Sequence, residues 1–199
     1  LATAKALINA GNKSNLLTFH TLSGALTVRN SDEGLQMTLP HNAPIPSSQC
    51  GSDVEAVITA LEKVVSAAAG NTIIQERHYS AATKKLVLRL KDSSMEALLS
   101  ITADMPSQLL EAHDGSVVKG VIVTNLTPDT SYDFQSRYFA PWVGIPEDPV
   151  TGSAHTVLGP LYRGICNKSA LKARQCSARG GDLLLDVLDD RVLVTGNAA

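Results

Sequence analysis

Apolar residues recur three and four apart in one long stretch, through Val54, Val57, Ile58, Leu61, Val64, Val65 and Ala68. That spacing predicts an amphipathic helix with one buried face. Ser52 and Glu55 stand at capping-box spacing at its start, and Gly70 stops the run. Elsewhere the apolar runs are shorter and lean towards β-branched residues. Positions 16–20, 25–29 and 35–39 read as a strand meander, broken at Ser23-Gly24 and at the turn-forming string Asn30-Ser-Asp-Glu-Gly34. Further strands are predicted over 72–77, 85–91 and 117–126, with a short helix near 94–100 and a helical run over 154–163. Residues 1–10 are helix formers closed by Gly11. Between the meander and the long helix, Pro44, Pro46 and Ser47-Ser48 give linker chemistry, because proline blocks both helix and ladder. The expected division is a first unit over 1–42, a linker over 43–52 and a second unit over 53–199, in an α+β chain.

An internal echo runs beneath this order. Asn12-Lys-Ser-x-Leu16 returns as Asn167-Lys-Ser-x-Leu171, each directly after a helix rich in small residues. Downstream, Gly24 and Leu26 match Gly181 and Leu183, the acidic loop at Asp32-Glu33 matches Asp189-Asp190, and Leu35 to Thr38 correspond to Val192 to Thr195. Helix, strand, glycine break, strand, acidic turn and strand thus follow one another twice, as a duplicated fold would leave them. The second copy has a full helix start around Glu147 to His155, whereas the matching segment of the first copy would precede Leu1.

Composition removes several function classes. The 199 residues carry 17 Lys+Arg against 19 Asp+Glu, a formal net charge of -2, so there is no basic stripe for nucleic acid or anionic lipid. No apolar run reaches the roughly 20 residues that span a bilayer, and the first residues lack a signal-peptide pattern. The expectation is a soluble, cytoplasmic protein with neither nucleic-acid nor membrane partners. Cys50, Cys166 and Cys176 are too scattered for a disulfide framework or a zinc site, and read as buried or idle thiols. The Asn-x-Ser/Thr triplets at Asn12, Asn125 and Asn167 would matter only in a secreted protein.

The candidate chemistry concentrates between Arg137 and His155, a stretch holding the single Trp, neighbouring aromatics, three prolines and the acidic pair Glu147-Asp148. Gly152 and Ser153 precede the predicted helix, so free backbone N–H groups and the positive end of the helix dipole would face an anion there. Asp148, held by Pro149, would stand beside that pocket and could exchange a proton with a bound acid. The plainer reading is that Thr151 or Ser153 caps the helix while Asp148 makes a turn; His155 is equally open between core and site. There is no dinucleotide fingerprint, Walker loop, nucleophile elbow or metal-ligand spacing.

Three strings, Ser136-Arg-Tyr-Phe-Ala-Pro, Glu147-Asp-Pro-Val-Thr-Gly-Ser-Ala-His155 and Gln175-Cys-Ser-x-Arg-Gly-Gly181, closely resemble the PhzF family and in particular its animal phenazine biosynthesis-like domain proteins. The remainder, from Leu1-Ala-Thr-Ala through Thr21-Leu-Ser-Gly24 to Thr195-Gly-Asn-Ala198, is compatible in order. The resemblance implies a diaminopimelate epimerase-like fold: two pseudo-symmetric α+β halves, each a curved sheet around a central helix, with the active site between them and the first half truncated here. It also implies a cofactor-independent, metal-free isomerase that moves a proton on a small carboxylated, amino acid-like or cyclic metabolite. By that resemblance Asp148 and Ser153 are the catalytic candidates, and Gly152, Ser153, Ala154 and Tyr138 bind substrate. The family's principal acid/base, a glutamate, and a Gly-His-Ala-Thr lead-in to the first central helix would lie upstream of Leu1, and a final strand would be shortened after Ala199. This chain by itself is therefore expected not to turn over. The family allows a homodimer. Two other readings keep the fold and drop the turnover: a protein-binding adaptor, and a carboxylate binder without catalysis.

Overall fold

The computed structural model describes residues 1–21, 24–91, 93, 95–127 and 131–197. Ser23 of the first glycine break, Ser94 at the start of the expected short helix, and Ala198 with Ala199 at the end lie outside the described residues.

The chain opens with α1 (Ala2–Asn9), then β1 (Leu16–Thr21), β2 (Gly24–Ser31) and β3 (Gly34–Pro40) as an antiparallel meander. Gly11 ends α1 in the left-handed region at φ 96°, where its N–H reaches the Ile8 carbonyl and the Asn12 N–H reaches that of Leu7. This is a Schellman closure, and a side chain at Gly11 would be strained. Segment 43–52, expected as a linker, carries the two-residue strand β4 (Ile45–Pro46) and a 3-10 turn over Ser47–Gln49. Next come α2 (Ser52–Ala68), β5 (Ile74–Ser80), β6 (Lys85–Leu90), α3 (Met95–Leu99), α4 (Met105–Ala112), β7 (Gly120–Leu126) and β8 (Phe134–Phe139). The chain closes with α5 (Gly152–Cys166), β9 (Ala170–Gln175), β10 (Gly181–Val187) and β11 (Arg191–Gly196).

Two local expectations change. Ser52 is the first helical residue of α2 and Gly51 occupies the cap position, without a side-chain cap hydrogen bond. The Ser52 hydroxyl turns to the Asp53 carboxylate instead, 3.3 Å away, so no capping box forms. Helix α4 and strand β8 have no counterpart in the predicted elements. The signal for α4 was Pro106 in the first helical turn after Asp104, a position where proline's missing N–H removes no helical bond.

Among the described residues eleven strands join in one sheet, in the order β1-β2-β3-β11-β10-β9-β8-β7-β6-β5-β4. Where the first meander meets the second, β3 and β11 pair antiparallel, with Met37 opposite Val194, Leu35 opposite Gly196 and Leu39 opposite Val192. Under the sequence correspondence of Leu35–Thr38 with Val192–Thr195, Met37 maps onto its own partner, and the Leu35 pair maps onto the Leu39 pair. The echo is therefore a local two-fold axis: α1-β1-β2-β3 on one side repeats as α5-β9-β10-β11 on the other, each helix packed on its own meander. Ala4 of α1 is buried with Val28 and Leu35. Val157 and Leu158 of α5 are buried with Leu185 and Val192.

The second half extends through β4–β8, whose two faces carry separate cores. On β6, Leu86, Leu88 and Leu90 join α2 and α4 on the outer face, while Val87 faces inward to the core around α5. That alternation is the period-2 geometry of a strand buried on both sides. Inside, Phe134 stacks on Tyr162 with ring centroids 4.0 Å apart.

Pro160 lies inside α5 and has no N–H, so it leaves the Thr156 carbonyl without its helical partner. Asn42 fills the gap: its backbone N–H donates to that carbonyl at 3.1 Å and its side-chain amide to the Thr156 hydroxyl at 2.9 Å. The chain leaving β3 is thereby pinned to the central helix of the other half. Among the described residues no helix is long and apolar enough to cross a membrane. Cys50, Cys166 and Cys176 are free, and burial raises the pKa of each thiol.

Candidate active site

The three strings that carried the resemblance meet at the N-terminus of α5. Strand β8 delivers Arg137 inside the sheet's outer face and Tyr138 inside its inner face. The loop after it returns so that the Asp148 N–H donates to the Tyr138 carbonyl at 3.0 Å. Glu147 and Asp148 are adjacent in sequence yet do different work. Glu147 receives Arg137 as a fork, Nε to Oε1 at 2.7 Å and Nη2 to Oε2 at 2.9 Å. Asp148 Oδ2 accepts the Thr151 hydroxyl at 2.7 Å.

Thr151 holds the cap position of α5, but its side chain makes no cap hydrogen bond to the helix. The hydroxyl is directed to Asp148 instead, so the expectation that Thr151 or Ser153 caps the helix is not met. The first amides of α5 are left in the usual condition of helix N-termini, donors without intrahelical acceptors. Ser153 is exposed and Gly152 half-buried, while Ala154 points its methyl into the core. A Cβ at Gly152 would stand 3.1 Å from Met37 Cε and 3.5 Å from Leu39 Cδ1. Strand β3 of the first half therefore lies against the start of α5, and the candidate site sits where the two halves meet.

Gln175, fully buried on β9, was part of a quoted string but was not singled out as a site residue. Its Oε1 accepts the Thr151 N–H at 2.8 Å, and its Nε2 donates to the Asp148 carbonyl at 2.6 Å and to the Thr151 hydroxyl at 3.1 Å. The amide cannot be flipped without setting donor against donor. Beside it, the Ser177 hydroxyl donates to the Pro149 carbonyl at 2.7 Å. Gly181 leaves room for Val150, whose Cγ2 would be 2.4 Å from any Cβ there. The Gln175–Gly181 string is thus a brace for the 148–151 loop. Gln175→Leu keeps the volume but strands the buried Thr151 N–H, and is expected to lower stability by about 2 kcal/mol in urea denaturation.

His155 belongs to the core: it is fully buried and its ring stacks on Phe134. Its Nδ1 lies 2.7 Å from the Thr151 carbonyl. A carbonyl can only accept, so Nδ1 carries the proton and Nε2 is a lone pair, which has no hydrogen-bond partner among the described residues. Burial lowers its pKa to about 4. Tyr138 is buried, and desolvation, helped by the Asp148 charge, pushes its phenol up to about 12, so it stays a donor.

Residues 1–199 match the Phenazine biosynthesis-like protein family, PhzC-PhzF. A rat phenazine biosynthesis-like domain-containing protein is 39% identical over 193 residues, covering 94% of this chain and 64% of the relative. A Pseudomonas aeruginosa protein named as an uncharacterized isomerase is 34% identical, over 100% of this chain and 68% of its own length. The crystal structure of an Enterococcus faecalis phenazine biosynthesis protein of the PhzF family superposes with a TM-score of 0.79 at 34% identity, over 100% of this chain and 68% of that one. The chain spans about two thirds of the length of the curated relatives it matches. With bacterial relatives named as isomerases, and with both the internal two-fold and the braced α5 loop in place, this chain belongs to the PhzF family of phenazine biosynthesis-like proteins.

Proposed function

We propose that the α5 N-terminus and the Asp148 loop form one wall of a cofactor-independent isomerase site for a small carboxylated metabolite. The observation that carries this reading is the placement of Asp148: Gln175 and Thr151 hold it from behind at the open end of α5. One substrate carboxylate binds the amides of Gly152 and Ser153 with the Ser153 hydroxyl, favoured by the helix dipole. The Thr151 hydroxyl holds Asp148 Oδ2, and Oδ1 is left to exchange a proton with the substrate. In the net reaction one proton leaves one carbon and returns to another atom of the same molecule, so no electron or atom is gained. A second acid/base is required on the opposite face of the substrate. By family resemblance that group is a glutamate of the first half.

The test uses the complete polypeptide in deuterated buffer with a panel of small cyclic and amino acid-like carboxylates. Deuterium appearing at a carbon-bound position of one of them supports an isomerase, and no exchange with any ligand that binds contradicts it. In the same preparation benzoate is expected to raise the melting temperature, and Ser153→Ala to weaken that rise. A rise unaffected by Ser153→Ala removes the carboxylate from the start of α5.

A further inference from the structure

Lysines are rarely buried unless a carboxylate pairs with them. Lys85, the first residue of β6, is 8% exposed, and among the described residues no carboxylate lies within ion-pair distance of it. It alternates with Leu86 and Leu88 of the outer core, so it shares the inner face of the sheet with Val87, the face that surrounds α5. Its register partner on β7 is Gly120. A Cβ at Gly120 would fall 2.3 Å from the Tyr138 hydroxyl. Only a glycine lets the tyrosine reach across β7, and this brings its ring under the ammonium, 5.7 Å from Nζ to centroid.

The result is two hydrogen-bond donors on residues each 8% exposed, Lys85 Nζ above the Tyr138 ring and Oη on that ring, and no protein acceptor takes either of them among the described residues. Tyr138 ties the pair to the Asp148 loop: its carbonyl holds the Asp148 N–H, and the Asp148 charge acts on its phenol. A cation lying over a neutral phenol, with no acceptor for either, makes a site for an oxyanion. Burial depresses the lysine and raises the phenol. A nearby anion would favour the charged form of the first and accept from the second.

We infer that Lys85 and the Tyr138 hydroxyl form an oxyanion subsite next to the Asp148 loop, so that the substrate is a small acid bearing a second negatively charged oxygen besides the carboxylate at α5. The inference rests on the reading of α5 as the carboxylate site. It narrows the substrate class to compact dianions such as dicarboxylates.

The experiment measures binding of benzoate and of the three benzenedicarboxylates to the complete polypeptide by calorimetry. At least one dicarboxylate is expected to bind roughly 10-fold tighter than benzoate, the scale of one charge-assisted hydrogen bond. Lys85→Met is expected to erase that preference while leaving benzoate unchanged, and Tyr138→Phe to reduce it. Dicarboxylates binding no tighter than benzoate, or a preference that survives Lys85→Met, overturn the subsite. Failure of benzoate to bind strikes the α5 reading instead. In that case the subsite is decided by nitrogen-15 NMR of the Lys85 ammonium on adding phthalate: a displaced resonance supports it and an unmoved one overturns it.

Discussion

Arg137→Met is expected to destabilise the protein by about 3–5 kcal/mol in urea denaturation, the range for removing one partner of a largely buried ion pair. The side chains of Arg137 and Glu147 are 11% and 22% exposed, so the orphaned carboxylate would remain mostly out of water. The guanidinium does more than pair with Glu147. Its Nη1 donates to the carbonyls of Leu98 at 2.9 Å and Ile101 at 3.2 Å, closing the C-terminal end of α3, and its plane lies 5.0 Å from the Phe139 ring centroid. Three segments distant in sequence thus depend on one planar fork. A lysine has one donor centre and cannot reproduce it, so Arg137→Lys is expected to recover little. Glu147→Gln added to Arg137→Met should cost less than the two changes summed, because the stranded charge is then gone. Equal additivity would show that the pair is not what holds the loop.

The legible parts of this fold were those governed by local rules. The spacing of Ile58, Leu61 and Val65 is the buried face of α2, and Gly70 terminates that helix in the left-handed region at φ 66°. The meander and its repeat were readable because a strand, a glycine break and an acidic turn each leave a short signal, and duplication doubles it. Strand β8 escaped notice because its burial is two-sided. Arg137 and Gln135 occupy one face: Arg137 is satisfied by a carboxylate and two carbonyls contributed from elsewhere, and the Gln135 Nε2 donates to the Thr127 hydroxyl. Nothing in a run of Phe-Gln-Ser-Arg-Tyr-Phe alternates in polarity as a half-buried strand should. The cap of α2 was misassigned by one residue, since any of Gly51 and Ser52 satisfies the local pattern.

At the candidate site, residue types and adjacency were enough to place Asp148, Gly152 and Ser153 together at a helix start. They were not enough to separate a capped turn from a braced one. That distinction depends on Gln175, which comes from a strand beyond the end of α5 and reveals its role only through three hydrogen bonds to the loop. Lys85 is further removed: its significance lies in the register that sets it beside Gly120 and in the ring that crosses that glycine. Long-range pairing of this kind leaves no trace in a single sequence, whereas helix-terminus chemistry is local and does.

Acid is expected to unfold the protein earlier than carboxylate protonation alone would, and His155 is the main reason. In the folded state its imidazolium would need a second N–H at Nε2, where no acceptor stands among the described residues, inside a fully buried core. Its pKa is accordingly lowered from 6.5 to about 4 by desolvation, against the favourable Thr151 carbonyl. Above pH 6.5 the ring is neutral in both states and folding loses nothing. Between about 6.5 and about 4 the unfolded chain takes up a proton that the folded chain refuses, so stability falls as pH falls, by about 3 kcal/mol across that window. Burial lowers His78 and His113 in the same direction. The His113 ring has a specific reason to stay neutral: its Nε2 accepts the N–H groups of Val117 and Val118 at 3.2 and 3.1 Å. Urea midpoints measured at several pH values from 7.5 to 4 check this. His155→Asn, whose amide can still donate towards Thr151, should be less stable at pH 7.5 but lose less on acidification, by close to one proton in the slope. An unchanged slope would mean that the ring is reached by water and that the Thr151 carbonyl, with the Asp148 loop above it, is not held by a buried neutral imidazole.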